Sequence, residues 1–383
     1  MTDIFDILII GGGINGAGIA RDASGRNLKV CLVEKNTVGS ATSSWSTKLI
    51  HGGLRYLENY EFRLVRESLK EREIIKKIAK DIIKPIPFII PHIPTQRPKW
   101  LIQIGLFLYD KLGGKTSLPK SKKINISSAI PNILKNKYNT GFEYYDLQVD
   151  DKKLVQLNID DAKRNGAIIF ENKTVTDVLR NKDFWSIKLN DNTIIQSKIL
   201  INASGPWINE VLKKTIKINS KKVIRLVKGS HIITKKLYEH NKAFTLQNPD
   251  KRIVFVIPYK KNYSLIGTTE IEVETPDNPK IDKDEIDYLI NTVNNFFIKQ
   301  ISSDDIIDTF SGIRPLIEDF KEASKATRDY VFDLNTSHNN APLLNIYGGK
   351  LTTYRKLSEN VIESLKPFLP SNLLTSWTGS KEL

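Results

Sequence analysis

Gly11-Gly12-Gly13-Ile14-Asn15-Gly16 has the spacing G-x-G-x-x-G and lies between a strand-like apolar run and a helix-like run, with Glu34 at the end of the next apolar segment. Glycines permit a tight turn and bring backbone close to a pyrophosphate. The helix N-terminus favours the negative charge, and an acidic residue at that distance accepts from ribose hydroxyls. The glycine pattern alone is weak; with strand, helix and acid in register it reads as a dinucleotide site. Arg55, Arg314 and Lys350 each stand near glycine or at a strand-to-loop junction, where cations can converge on a phosphomonoester dianion. A surface or ion-paired role stays open for each of them. His231, in Lys228-Gly229-Ser230-His231, carries the side chain whose ordinary pKa, about 6.5, suits accepting an alcohol proton. The alternative for it is a hydrogen-bonded core histidine.

The elements that must position these residues follow from periodicity. Residues 4–10 and 28–34 read as buried strands around a helix at 15–26, which is a βαβ unit. Residues 61–80 read as a charged, surface-lying helix. Five prolines from Pro85 to Pro98 then precede an apolar run, Trp100, Leu101, Ile104, Leu106, Phe107, Leu108 and Tyr109, that looks inserted. A helix is expected at 151–164, a strand at 198–205, an antiparallel sheet over 223–273 and a helix near 282–299. The segments 312–316 and 347–357 read as glycine-marked turns, the second opening a helix. The domain division expected is a dinucleotide-binding domain at 1–80, resumed at 146–222 and 301–383, with an inserted segment at 81–145 and an antiparallel substrate sheet with its helix at 223–300.

Composition limits the alternatives. The chain has 383 residues, 40% hydrophobic, with a single cysteine, Cys31, which leaves no disulfide framework or cysteine-built metal site and suits a reducing compartment. No stretch approaches the roughly 18 apolar residues of a membrane-spanning helix, and the amino-terminal residues read as part of the fold rather than a signal peptide. The balance of 58 Lys plus Arg against 43 Asp plus Glu, net +15, suits anionic partners. The lysines are scattered, so no nucleic-acid footprint stands out. Motifs H-E-x-x-H, C-x-x-C, G-x-S-x-G and G-x-x-x-x-G-K-[ST] are missing from the sequence, and no metal is called for. The pairs Asp160-Asp161 and Asp304-Asp305 read as solvated or capping residues, while His92, His240 and His338 have no pairing motif.

The block from Ala41 to Glu58 (ATSSWSTKLIHGGLRYLE), with VDD at 149–151, NASGPW at 202–207, KGSHI at 228–232, RIVFVIPY at 252–259, IGTTE at 266–270, SGIRPL at 311–316 and GGKLTTYRKL at 348–357, closely resembles the FAD-dependent, quinone-linked glycerol-3-phosphate dehydrogenases over essentially the whole chain. The resemblance implies an α/β fold, with a Rossmann-like FAD-binding domain of the glutathione-reductase/D-amino-acid-oxidase type and an antiparallel-sheet substrate domain. It implies oxidation of sn-glycerol 3-phosphate to dihydroxyacetone phosphate by hydride transfer to flavin, with electrons passed to a membrane quinone.

By their chemistry His231 and Arg314 are the catalytic candidates, as proton acceptor and as partner of a developing alkoxide, and Tyr56 and Thr269 are candidates to hydrogen-bond substrate oxygens; by motif context the resemblance places Arg55, Arg314 and Lys350 at the substrate. It assigns Gly11, Gly13, Gly16, Glu34, Thr42, Ser43, Ser44, Ser204, Gly205, Gly349, Lys350, Leu351 and Thr352 to FAD; His51 belongs to the flavin-proximal loop. Glycerol 3-phosphate, a quinone, the inner face of a membrane and a second copy of the chain are the partners considered, without nucleic acid. The expected location is the cytoplasm, peripheral to the cytoplasmic membrane. Residues 84–115 are read either as a lipid-facing patch or as packing against the substrate domain. Family members usually continue into a helical carboxy-terminal domain, so a short or truncated version is expected here. A flavoprotein amine or amino-acid oxidase, a truncated inactive FAD-fold protein, and a basic nucleic-acid or membrane binder on a degenerate FAD fold are the alternatives.

Overall fold

The computed structural model describes residues 4–94, 97–219, 222–317, 329–336 and 340–383. Two sheets carry the site. In the first, Leu343–Gly348, Ile194–Asn202, Phe5–Ile10, Val30–Val33 and Ile168–Phe170 lie side by side in parallel. Tyr330–Asn335 adds an antiparallel edge, and the hairpin Val175–Arg180/Trp185–Leu189 extends from Ile194–Asn202. Ile7, Leu8 and Ile9 are wholly buried, as expected of a strand covered on both faces, where alternation gives way to a continuous apolar run. The helix Ile14–Ser24 packs on this sheet between the helices Asp151–Arg164 and Tyr354–Leu365.

The second sheet is built on antiparallel pairs except where Ala243–Gln247 meets Ile83–His92 in parallel. Ile224–Lys235 runs between Tyr263–Gly267 and Ile306–Ile317, and Ile253–Tyr259, Ala243–Gln247, Ile83–His92 and Thr140–Val149 continue it. The helix Lys283–Phe296 begins at a reciprocal cap in which Asp282 and Glu285 each accept the other's backbone N–H.

Several expectations are corrected by the sheets. Residues 312–316 are strand rather than turn: Gly312 pairs with Gly229 and Pro315 with Leu226. Among the described residues the strand pairs only with Ile224–Lys235, so the missing proline N–H can face the open edge. Pro85, Pro87 and Pro91 are likewise inside a strand. All stand at odd positions, so their absent donors fall on one edge and the even residues remain free to pair with Thr140–Val149. Glycines 348 and 349 do not open the helix directly; it starts at Tyr354 after a turn.

Charged residues also lie deeper than the sequence suggests. On the helix Phe62–Ile78, Glu71 and Arg72 are buried, because Arg355 and Asp146 lie within 2.6 and 2.8 Å of them and paired charges tolerate burial that single ones do not. Asp161, read as solvated, is buried against Arg21 at 2.7 Å. Asp305, by contrast, caps a short turn by accepting from Ser302 N–H.

Candidate active site

A cavity of about 770 Å³ runs between the two sheets, from Glu34 past the glycine turn to His231 and Arg314. Its first end is built by backbone. Gly11 holds φ +109°, a conformation that side chains rarely adopt, and a Cβ on Gly16 would come within 1.9 Å of the Gly11 carbonyl, so only glycine lets the helix start this close to the strand. Glu34 folds back on the turn, its Oε2 accepting from Gly12 N–H at 2.6 Å and its Oε1 from Asn36 N–H at 2.9 Å. Ser43 Oγ accepts from Ile14 N–H at 2.9 Å and so caps the helix from a distant loop. Thr42 donates to Ile313 O at 3.0 Å, and Ser204 to Asn202 Oδ1 at 2.6 Å.

Gly205, Gly348 and Gly349, all with positive φ, complete the wall together with Lys350, Leu351 and Thr352. Asn15 Oδ1 lines this wall buried and without a hydrogen-bond partner among the described residues. A helix N-terminus without a side-chain cap from its own N-cap residue, an orphaned acceptor and a cavity in the size range of cofactor sites fit a flavin dinucleotide.

The other end is set by strand register. His231 pairs with Phe310, Gly229 with Gly312, and Val227 with Arg314. Residues directly opposite on alternate rungs share a sheet face, so His231 and Arg314 project on the same side, four residue pairs apart, with the glycine pair midway between them. A Cβ on Gly229 would sit 2.6 Å from both Arg314 Nη2 and Thr268 Oγ1; the bare glycine leaves room for the guanidinium, which donates to Thr268 at 3.0 Å. Arg55 and Arg314 approach Glu270 at 3.9 and 3.6 Å. Lys350 Nζ stands 3.8 Å above the Tyr56 ring, a cation held on an aromatic face.

His231 is stacked on Phe310 and its Nε2 is 3.1 Å from Thr47 Oγ1. Its Nδ1 has no partner among the described residues. Burial, and then the positive charges of Arg314 and Lys48, push its pKa down to about 3, so the imidazole is neutral at pH 7. Lys48 is itself tied to Asp151 at 2.7 Å. Ser46 donates to the same carboxylate at 2.7 Å, which fixes the segment carrying Thr47.

The structure therefore brings Arg55, Tyr56, His231, Arg314 and Lys350 to one cavity, together with Gly11, Gly13, Glu34, Thr42, Ser43, Ser204, Gly205, Gly349, Leu351 and Thr352. Three expected residues are not on its wall. Gly16 is packed behind the turn. Ser44 is buried and donates to Gly39 O. Thr269 turns away from the cavity, because its hydroxyl donates to Glu285 at 2.5 Å and accepts from Ser230 N–H at 2.9 Å; its neighbour Thr268 faces the site instead. His51 lines the cavity and is anchored through its backbone to Thr352 Oγ1 at 3.1 Å. His92 bonds Arg97 O at 2.8 Å and lies off the wall, as does His240, whose Nδ1 accepts from Lys242 N–H; His338 lies outside the described residues. Sequence reasoning missed Thr47, Thr268 and Glu270. The last two stand inside the IGTTE motif, where an acid beside a cationic pocket was a usable signal.

Fold and cavity together fit a flavin-dependent oxidoreductase, with the glycine turn on one sheet and the face of His231 and Arg314 on the other. Residues 6–355 match the family of FAD dependent oxidoreductases, and the chain belongs to that family and, within it, to the glycerol-3-phosphate dehydrogenase group, with FAD as cofactor. It is 46% identical over 385 residues to the aerobic glycerol-3-phosphate dehydrogenase of Escherichia coli (strain K12), covering 99% of this chain and 76% of that one. It is 45% identical to the D-erythritol 1-phosphate dehydrogenase of Brucella abortus (strain 2308), covering 99% and 76%. The crystal structure of the glycerol-3-phosphate dehydrogenase from Bacillus halodurans complexed with FAD superposes with a TM-score of 0.75 at 25% identity, over 98% of this chain and 67% of that one.

Proposed function

We propose that this protein oxidises the secondary alcohol of sn-glycerol 3-phosphate to dihydroxyacetone phosphate and passes the electrons to a membrane quinone. The observation that carries the reading is the sheet face on which His231 and Arg314 flank the Gly229–Gly312 rung, with Arg55 and Lys350 on the same cavity. Bound FAD supplies the two-electron acceptor for the hydride leaving the carbinol carbon. Arg55, Arg314 and Lys350 hold the phosphate dianion, their charges adding where water is scarce. His231, neutral in the resting site, takes the hydroxyl proton. Arg314 also stabilises negative charge developing on the same oxygen, and Thr47 orients the ring by its contact with Nε2. Gly11, Gly13, Glu34, Ser43 and the Gly349–Thr352 turn hold the cofactor.

Delivery to a quinone draws on the helix Lys99–Leu112. Ile102, Leu106 and Tyr109 face inward, whereas Trp100 and Phe107 are 62% and 61% exposed, with Leu101 and Ile104 beside them. One helix thus has two apolar sides, and the outer one is flanked by Lys99, Lys111 and Lys115, a pattern suited to the boundary of an anionic membrane. On the strength of that exposed apolar side, the arrangement proposed is an enzyme bound at the cytoplasmic surface of the membrane; no helix among the described residues is long and apolar enough to cross one.

Anaerobic mixing of the FAD-loaded protein with sn-glycerol 3-phosphate tests the reaction: the visible flavin absorbance bleaches within the time of a turnover. The same mixing with D-erythritol 1-phosphate, glycine and glycerol distinguishes a longer phosphorylated polyol, an amine substrate and an unphosphorylated alcohol. Bleaching by glycine alone would overturn the reading.

A further inference from the structure

The second sheet has another face behind the reacting one. Lys228, Ser230 and Ser311 alternate with Gly229, His231 and Gly312 and therefore point away from the cavity, toward the helix Lys283–Phe296. Ser230 and Ser311 are directly paired, and their hydroxyl oxygens are 2.7 Å apart. There the carboxylate of Glu285, 2% exposed, accepts from four donors. Oε1 takes Ser230 Oγ at 2.9 Å and Thr269 Oγ1 at 2.5 Å; Oε2 takes Asp282 N–H at 3.0 Å and Lys228 Nζ at 2.9 Å. Thr269 in turn accepts from Ser230 N–H.

Each strand residue in this cluster is the immediate neighbour of a cavity residue. Ser230 precedes His231, Thr269 stands between Thr268 and Glu270, and Ser311 precedes Gly312. A single buried carboxylate therefore ties the strand carrying His231 to the turn that holds Arg314, and reaches the strand of Ser311 through the Ser230 hydroxyl. A cap alone would need only the bond to Asp282 N–H; the other three bonds serve the sheet.

We propose that Glu285 is a positioning residue for the oxidation, acting through the sheet to hold His231 and the Thr268–Glu270 segment at their places in the cavity. This rests on the reading of His231 as proton acceptor. Glutamine at 285 has the same shape but offers one acceptor oxygen where four donors converge, so the hydrogen-bond directions around Ser230 and Thr269 must rearrange. Small displacements of reacting groups cost tenfold or more in rate.

The test compares Glu285→Gln and Thr269→Val with Asp282→Ala, which removes the helix cap and the second carboxylate on Lys228 but leaves Ser230, Thr269 and the Glu285 carboxylate in place. Single-turnover flavin reduction by glycerol 3-phosphate in the FAD-loaded protein, thermal melting, and the imidazole NMR signals of the five histidines are measured for each. Expected is a limiting reduction rate about tenfold lower in Glu285→Gln and Thr269→Val, with a smaller change in substrate affinity and a displaced His231 signal. Asp282→Ala melts earlier but keeps the parent rate and signal. A Glu285→Gln protein indistinguishable in rate and His231 signal from Asp282→Ala overturns the proposal, and if Glu285→Gln does not fold, Thr269→Val decides by the same comparison. His231→Gln separates the two readings. If it reduces flavin at the parent rate, the assignment of the base fails; if it is slow while Glu285→Gln is not, only the positioning role fails.

Discussion

The carboxylate of Glu270 lies 3.6 Å from the guanidinium of Arg314, on the wall of the same cavity. The same acid reaches Arg55 at 3.9 Å, so it restrains two arginines that would otherwise repel each other. An acid there opposes any second negative charge, and it selects against ligands that cannot displace its hold on the arginines. Partly exposed pairs of this kind are worth up to about 1 kcal/mol. Glu270→Gln is expected to tighten inhibition by inorganic phosphate by up to about fivefold, while turnover of glycerol 3-phosphate falls. Phosphate inhibition constants check this; weaker inhibition in the variant would contradict it.

On the proposed function, Arg314→Ala and Lys350→Ala each remove a charge-assisted partner of the phosphate, worth about 1.5–3 kcal/mol. The KM for glycerol 3-phosphate should rise by roughly tenfold to a hundredfold while the FAD content stays unchanged. Arg314→Ala should also slow flavin reduction more than Lys350→Ala, because it alone of the two stands on the sheet face of His231. Steady-state and single-turnover kinetics on matched, fully yellow preparations provide the check.

The depressed pKa of His231 has two consequences. Its folded value, about 3, is below its unfolded one. Between pH 6.5 and pH 3 the unfolded chain therefore binds the extra proton, and stability falls as the pH is lowered through that window. Each unit of separation is worth about 1.4 kcal/mol. His231→Gln should flatten this slope in urea unfolding measured from pH 7 to pH 4. In kinetics, kcat/KM should show no acid limb near pH 6.5 that is removed by substituting His231, since the imidazole of the free enzyme is already neutral there. Such a limb would mean that the ring titrates freely.

The exposed side of the helix Lys99–Leu112 can be tested without touching the site. Trp100→Ser with Phe107→Ser should abolish sedimentation with anionic vesicles and leave flavin reduction by glycerol 3-phosphate intact. Retained vesicle binding would place the membrane contact elsewhere.

Much of this was legible in the chain itself. The glycine turn and Glu34 are local: six residues of backbone geometry and one acid at the next strand end read as a dinucleotide cradle, and in the structure Gly11, Gly13 and Glu34 line one cavity with Gly16 packed behind them. The helix Asp151–Arg164 matches its expected bounds, because cap, periodicity and terminating glycine all agreed. Local rules failed at residues 312–316, where glycine and proline signal a turn, but pairing with Ile224–Lys235 over its whole length holds the segment extended.

Register was the decision left to tertiary structure. Identity and order of residues determined that cations, a histidine and a flavin cradle would be available. Only pairing Gly229 with Gly312 put His231 and Arg314 on one face, and pairing His231 with Gly267 on the other side brought Thr269 to Ser230 and Glu285 while leaving Thr268 in the cavity. Side-chain direction alternates with every residue of a strand, so a shift of one position would exchange the two faces; periodicity within one strand carries no information about which residue of a distant strand lies opposite.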